Sequence, residues 1–243
     1  MMIGFLLSAT LQWGPYTVSW QEYESGEMPE ETPVFTIAKG GNPLRSFEVW
    51  NAEAETLDVD GDGTAELLVC DFSGGAHCCF TYYLYTRKPA LNLLGAFDMG
   101  NAGLTFQDIE GDGVAEAIGY YDGFAYYEGL SYVGSPFIPI VFSLKAGKYV
   151  ENTKAFPGII QESLDEYLAN PPWDCDEECN SWVIALYAHM VLLGKEASAW
   201  ETIKGACPKA LDWLSENAPN LRAILAYMDY RVKYTEEGNG GDD

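Results

Sequence analysis

Residues 58–66 read Asp58-Val59-Asp60-Gly61-Asp62-Gly63-Thr64-Ala65-Glu66, and residues 108–116 repeat the pattern as Asp108-Ile109-Glu110-Gly111-Asp112-Gly113-Val114-Ala115-Glu116. Each loop offers carboxylates at positions 1, 3, 5 and 9 and a backbone carbonyl at position 7, and oxygen sets of this kind bind Ca²⁺ in proteins. The glycines at positions 4 and 6 can adopt positive φ, which lets the chain bend around one point. The sequence therefore predicts one or two bound calcium ions.

The loops are not EF-hands, although an EF-hand also opens with alternating aspartates and a glycine. An EF-hand needs a bidentate glutamate at position 12 and a helix on each side. Position 12 is Val69 after the first loop and Gly119 after the second. The segments that follow the loops, 67–70 and 117–121, are strand-like. We therefore expect both loops to connect β-strands.

This combination of an acidic glycine-containing loop and a following strand resembles FG-GAP or VCBS-type repeats. The resemblance implies calcium-binding loops within secreted or cell-surface β-propeller blades and related modules. It also implies the ligands, carried over position by position: Asp58, Asp60, Asp62, the Thr64 carbonyl and Glu66 in the first loop, and Asp108, Glu110, Asp112, the Val114 carbonyl and Glu116 in the second. Both loops end in Glu where the family has Asp, and Glu110 is longer than the usual Asp. The first loop is therefore expected to be the stronger site.

The alternative interpretation is that both loops are ordinary solvated turns, because Asp and Gly are common turn residues. Two observations favour a metal. The pattern is duplicated in the same context, 50 residues later (58 to 108). Several carboxylates converging on one point would also repel one another strongly without a cation between them.

Composition limits the partners. The 243-residue chain has a formal net charge of −24 and a pI near 4.1, whereas nucleic acids and anionic membranes are bound by clustered Lys and Arg. A hydrophobic content of 48% is enough for a sizeable core. No segment reaches the 18 or more apolar residues of a membrane span. We therefore expect no nucleic-acid partner and no membrane span.

The N-terminal residues 2–9 are apolar and read like the end of a signal peptide, but they lack a preceding basic residue and a good cleavage site. The alternative is a first buried strand. A signal-peptide remnant over residues 1–12 would agree with the localisation that the repeat resemblance implies: secreted, periplasmic or cell-surface.

Six cysteines, an even number, suggest disulfides in an exported protein. Cys78 and Cys79 are adjacent, so in a regular strand their side chains would point to opposite faces. We expect a vicinal or a long-range disulfide there rather than a metal site with His77. Cys175 and Cys179 are four residues apart, and we expect one of them to bridge to Cys207.

The chain divides into two parts with different periodicity. Residues 13–155 contain short strand-like runs between Gly, Pro and acidic turns, and residues 156–234 show helical spacing, with 235–243 expected to be a disordered tail. The predicted fold is α+β: an N-terminal all-β domain, either an antiparallel sheet or sandwich or an incomplete propeller-like unit, followed by a small α-helical bundle. The predicted strands are 16–20, 34–38, 47–50, 67–70, 80–86, 93–97, 117–121 and 138–144, and the predicted helices are 159–168, 182–193, 197–204, 208–216 and 219–234.

Catalytic motifs are missing from the sequence. It has no nucleophile elbow, phosphate loop, dinucleotide fingerprint or zinc helix, and His189 is expected to lie in or beside the helical core. A calcium-binding module that acts in binding, adhesion or assembly, with a protein or glycan partner or as a homo-oligomer, is therefore favoured. The alternatives are a secreted hydrolase with structural calcium and a subunit of an extracellular filament or complex.

Overall fold

The computed structural model describes residues 7–22, 32–74, 78–172 and 179–235. Three antiparallel sheets come first and helices follow, which confirms the predicted α+β class. None of the described helices has the length and apolarity needed to cross a bilayer.

Each sheet contains four strands that are consecutive in the chain, and the second sheet gains a short fifth strand from the end of the described chain. The first contains β1 (Leu7–Trp13), β2 (Tyr16–Glu22), β3 (Val34–Lys39) and β4 (Asn42–Glu48). The second contains β5 (Ala52–Leu57), β6 (Glu66–Phe72), β7 (Phe80–Thr86) and β8 (Asn92–Gly100), and the third contains β9 (Leu104–Gln107), β10 (Glu116–Tyr121), β11 (Ile138–Lys145) and β12 (Lys148–Glu151). Four-stranded units in series correspond to propeller blades. The β-rich part of the described chain is thus divided among three separate antiparallel sheets.

The second sheet lies between two apolar cores, because its side chains alternate between its faces. Leu68 and Leu84 contribute to the core shared with the third sheet and the helices. Leu67 and Tyr85 contribute to the core shared with the first sheet. The first acidic loop therefore extends from strands that are packed on both sides.

Four α-helices follow the third sheet: α1 (Pro157–Ala169), α2 (Cys179–Leu192), α3 (Glu196–Ala206) and α4 (Leu211–Ala226). α2 is the central helix, with eleven buried residues. After α4 and a 3₁₀ turn (Tyr227–Arg231), the two-residue strand β13 (Val232–Lys233) pairs with β8 at Phe97 and Ala96. The helices share one continuous core with the second and third sheets.

Two predicted boundaries are wrong. Helices were expected over 208–216 and 219–234, but α4 runs through Pro219 to Ala226. Leu214, Ala218, Leu221 and Leu225 form one buried face on both sides of the proline, and burial of that face outweighs the lost backbone hydrogen bond. The strand expected at 47–50 starts earlier, at Asn42, because Gly40 and Gly41 both adopt positive φ and close a tight hairpin with β3.

At the N-terminus, residues 7–13 form β1 and pair with β2. The alternative for residues 2–9 was a first buried strand, but residues 8–12 are exposed or only partly buried. Residues 1–6 and 236–243, which include half of the expected signal-peptide remnant and most of the expected tail, lie outside the described residues.

Candidate metal-binding loops

The two acidic loops occupy equivalent places in successive sheets. Residues 58–65 connect β5 to β6, and residues 108–115 connect β9 to β10, so each loop joins the first and second strands of its four-stranded unit. The predicted strand–loop–strand context is therefore present in both copies.

The first aspartate of each loop folds the backbone in the same way. Gly63 N donates a hydrogen bond of 2.9 Å to Asp58 Oδ2, and Gly113 N donates one of 2.9 Å to Asp108 Oδ2. The fifth residue repeats as well, since Thr64 N donates to Asp62 Oδ1 and Val114 N donates to Asp112 Oδ1. The two sequences thus encode one loop conformation twice.

The final glutamate of each loop accepts a hydrogen bond from the backbone amide of the second loop residue. Glu66 Oε2 accepts a hydrogen bond of 3.2 Å from Val59 N, and Glu116 Oε2 accepts one of 3.1 Å from Ile109 N. Both carboxyl groups are buried. Burial raises the pKa of each one, and the backbone hydrogen bond partly opposes that rise. The Glu side chain reaches from the second strand back to position 2 of the loop.

Carboxylates converge in the first loop. Asp58, Asp60 and Glu66 each place a carboxylate oxygen so that all three oxygens lie within 4.8 Å of one another. Over the described part of the chain, this is the one group of three or more His, Cys, Asp or Glu side chains with that spacing. Three of the predicted ligands are therefore together, and the donor set of hard oxygens suits Ca²⁺.

Asp62, the fourth carboxylate predicted for the first loop, is held elsewhere. Its Oδ2 lies 2.9 Å from Lys88 Nζ in the β7–β8 turn, and its Oδ1 accepts the Thr64 amide. The Lys88 hydrogen bond is the largest of the effects that lower the pKa of Asp62. Sequence reasoning missed Lys88, which is 26 residues away along the chain and carries no motif signal.

The second loop does not bring three such oxygens together. Asp108 Oδ1 accepts hydrogen bonds from Gly111 N (2.6 Å) and Asp112 N (3.1 Å), in addition to the bond from Gly113 N to its other oxygen. The Asp108 carboxylate is thus used by the backbone of its own loop. The carboxylates of the two loops are therefore used differently.

The loops lie directly against each other. Ala115 N donates a hydrogen bond of 2.7 Å to Val59 O. Gly61 has φ +68°, and a Cβ atom there would lie 2.6 Å from Gly113 O. Only glycine fits this approach, so a residue expected to serve the bend of its own loop also serves the contact between loops.

A second pattern of hydrogen bonds is repeated in the second and third sheets: an aspartate side chain accepts hydrogen bonds from the backbone just before the first strand. Asp71 Oδ1 accepts the amides of Trp50 and Asn51 before β5, and Asp122 Oδ2 accepts the amide of Asn101 before β9. The sequence repeats Asn-Ala at 51–52 and 101–102, 50 residues apart like the loops. This repeat was the signal that could have indicated the second pattern. The two aspartates are offset by one residue relative to this spacing, so a search for the repeat does not find them at matching positions.

Of the two disulfide arrangements expected for Cys78 and Cys79, vicinal or long-range, the structure has the vicinal one. Cys78 and Cys79 form a vicinal disulfide, and His77 lies outside the described residues. Cys70 is a half-buried thiol in β6, and burial raises its pKa to about 11. A thiolate nucleophile is therefore not available at this position near neutral pH.

In the helical part, Cys207 is disulfide-bonded and its Sγ lies 3.0 Å from Cys179 Sγ. Cys175, the other candidate partner for Cys207, lies outside the described residues.

His189 is fully buried, as expected for a core histidine. Its Nδ1 lies 2.6 Å from Ala185 O and its Nε2 lies 2.9 Å from Ser163 Oγ. Because a carbonyl oxygen can only accept, Nδ1 carries the proton. Burial lowers the pKa of His189, so the ring is a neutral, hydrogen-bonded core residue.

No family model matches this chain, and neither a curated protein nor a solved structure shows significant similarity to it.

Proposed function

We propose that the chain is a calcium-binding module in which Ca²⁺ held by the loop 58–66 stabilises the fold. In this proposal the module is secreted, periplasmic or cell-surface, and it acts in binding, adhesion or assembly. The main support for this proposal is that Asp58, Asp60 and Glu66 place carboxylate oxygens within 4.8 Å of one another.

The electrostatics of Glu66 support a cation. Burial is the main cause of its raised pKa, and the nearby carboxylates of Asp60 and Asp58 raise it further. A divalent cation between the three groups would relieve this repulsion. Ca²⁺ accepts the mixed carboxylate and carbonyl ligands that such a loop offers and tolerates irregular geometry better than Mg²⁺.

A structural role follows from the place of the loop. It is joined to the second acidic loop through Val59 and to the first sheet through Trp13, whose Nε1 donates a hydrogen bond of 2.7 Å to Ala65 O. An ion here would stabilise the contact between three sheets at once. At calcium one hundred times above the dissociation constant, binding would add about 2.7 kcal/mol to the free energy of unfolding.

The test is thermal unfolding in calcium and in a chelator, for the wild type, Asp58→Ala and Asp108→Ala, with magnesium as a matched divalent control. We expect calcium to raise the wild-type midpoint, Asp58→Ala to abolish that rise and Asp108→Ala to leave most of it. A wild-type midpoint that is the same in calcium and chelator would refute the proposal.

A further inference from the structure

The connection between β10 and β11, residues 122–137, presents aromatic side chains to solvent. We call it the tyrosine loop. Tyr126 is 51% exposed and Val133 is 93% exposed. The Tyr126 and Tyr132 ring centroids are 6.1 Å apart, with an angle of 38° between the rings. The loop therefore offers the face or edge of an aromatic pair to a partner.

The backbone of the tyrosine loop is strained where it presents Tyr126. Tyr126 has φ 59° and Glu128 has φ 49°, and this left-handed region is unfavourable for residues other than glycine. Such conformations persist only where the surroundings impose them, and they concentrate at binding and catalytic sites.

Specific contacts impose this conformation. Ser135 Oγ accepts a hydrogen bond of 2.8 Å from Tyr126 N and donates one of 2.8 Å to Ser131 O. Tyr127 OH donates one of 2.7 Å to Asn217 Oδ1 in α4. Phe124, at the start of the loop, is fully buried. The backbone that carries Tyr126 is thus held in place before any partner arrives, which lowers the entropic cost of binding.

The tyrosine loop itself contains Asp122, which pairs with Arg231, and Glu128, but no basic side chain. Residues 89–144 contain no Lys, Arg or His, in a chain of net charge −24. Glu128 is exposed within the tyrosine loop. Where α4 packs on the loop, Trp213 contacts Tyr127 edge-on with 6.4 Å between centroids. The residues of α4 next to Trp213 and Asn217 are the exposed acids Asp212 and Glu216.

We propose that the tyrosine loop, together with these exposed acids of α4, binds a basic segment of another protein by placing an arginine or lysine side chain on the Tyr126 ring. A cation gains from the aromatic face and from the negative charge of the protein at once, whereas a neutral sugar gains no Coulombic attraction. The inference rests on the binding role in the proposed function and names its partner, but it makes no use of the calcium loops.

The experiment is a titration of the full chain, in calcium, with a dye-labelled peptide of alternating glycine and arginine. The same peptide with citrulline in place of arginine is the neutral probe. We expect the arginine peptide to bind and the citrulline peptide not to bind. Tyr126→Ala should weaken binding about fivefold, the loss expected for one cation–π contact, and Tyr126→Phe should retain it.

Matched variants separate a specific site from general attraction to an acidic protein. Tyr230→Ala removes another tyrosine, 69% exposed in the turn after α4, and it should bind like the wild type. Asn tolerates the left-handed backbone, so Tyr126→Asn repeats the test if Tyr126→Ala does not fold. Equal affinity of the Tyr126 variants and the wild type, or equal losses in Tyr126→Ala and Tyr230→Ala, would overturn the inference.

A glycan partner is the other outcome. If the arginine peptide does not bind but a soluble oligosaccharide binds and is lost in Tyr126→Ala, the surface recognises sugars and the inference is wrong. The calcium-dependent rise in the unfolding midpoint should be the same in Tyr126→Ala and the wild type. Failure at the tyrosine loop is therefore distinguishable from failure of the calcium proposal.

Discussion

The Ala115 amide donates a 2.7 Å hydrogen bond to the Val59 carbonyl, so the backbones of the two acidic loops are joined directly. This contact requires the loops to approach closely, and Gly61 is the residue that permits it. The two loops are therefore in direct contact through their backbones.

Gly61→Ala is expected to destabilise the protein by roughly 2–3 kcal/mol, because it combines a positive φ with a clash against the Gly113 carbonyl. Gly111→Ala is the matched control. Gly111 is the equivalent residue of the second loop, with φ +73° and open space around its Cβ position, and it should lose only about 1 kcal/mol. Urea denaturation in the presence of a chelator measures both values. Equal losses of unfolding free energy in the two variants would show that Gly61 does not closely approach the second loop in solution.

Lys88→Gln is expected to strengthen calcium binding roughly threefold to tenfold, because it removes a positive charge and frees the Asp62 carboxylate. Isothermal titration calorimetry gives the affinity. Lys204→Gln makes the same change of charge at an exposed position on α3 and should leave the affinity within experimental error. A weaker affinity in Lys88→Gln would mean that Lys88 positions the loop rather than competing with the ion.

Acidification below pH 6.5 is expected to destabilise the helical core through His189. Its folded-state pKa is lowered from 6.5 by burial, so the unfolded chain binds the proton more readily than the folded protein. The stabilisation is complete above pH 6.5 and is lost as the pH falls from 6.5 toward the folded-state pKa, by at most about 1.4 kcal/mol per pH unit.

Urea denaturation of the wild type and His189→Gln between pH 7.5 and 5.5 checks this expectation. Glu66 and Glu116 have raised folded-state pKa values, so their contribution has the opposite sign. The informative quantity is therefore the difference in slope between the two proteins, and parallel slopes would exclude His189 as the titrating group.

Asp122→Ala is expected to cost about 3 kcal/mol, because it leaves a partly buried arginine without its main partner. Asp122 Oδ1 lies 2.5 Å from Arg231 Nη2, and Oδ2 accepts hydrogen bonds from Asn101 N and Nδ2. Asp71→Ala is the control, since Asp71 caps the corresponding turn with hydrogen bonds to Trp50 N and Asn51 N. We expect a smaller loss there. Hydrogen exchange should quicken at residues 227–233 in Asp122→Ala only.

The sequence predicted what local patterns encode. Two acidic loops between strands, a change of periodicity near Pro157 and a buried His189 all follow from short-range spacing, and the structure has each of them. It did not predict contacts between distant residues that lack a motif, such as Lys88 with Asp62 or Gly61 with Gly113. It also misplaced the helix boundary at Pro219, because propensity alone does not register the buried face that continues past the proline.

The strand β13 has a consequence for synthesis. Val232 pairs with Phe97 and Lys233 with Ala96, so the second sheet receives its last strand from a segment translated after all four helices. During translation the outer edge of β8 stays without this partner until residues 232–233 leave the ribosome, and unpaired strand edges of this kind promote misassembly. A nascent chain stalled within α4 would therefore expose the edge of β8. The second sheet is completed only late in synthesis.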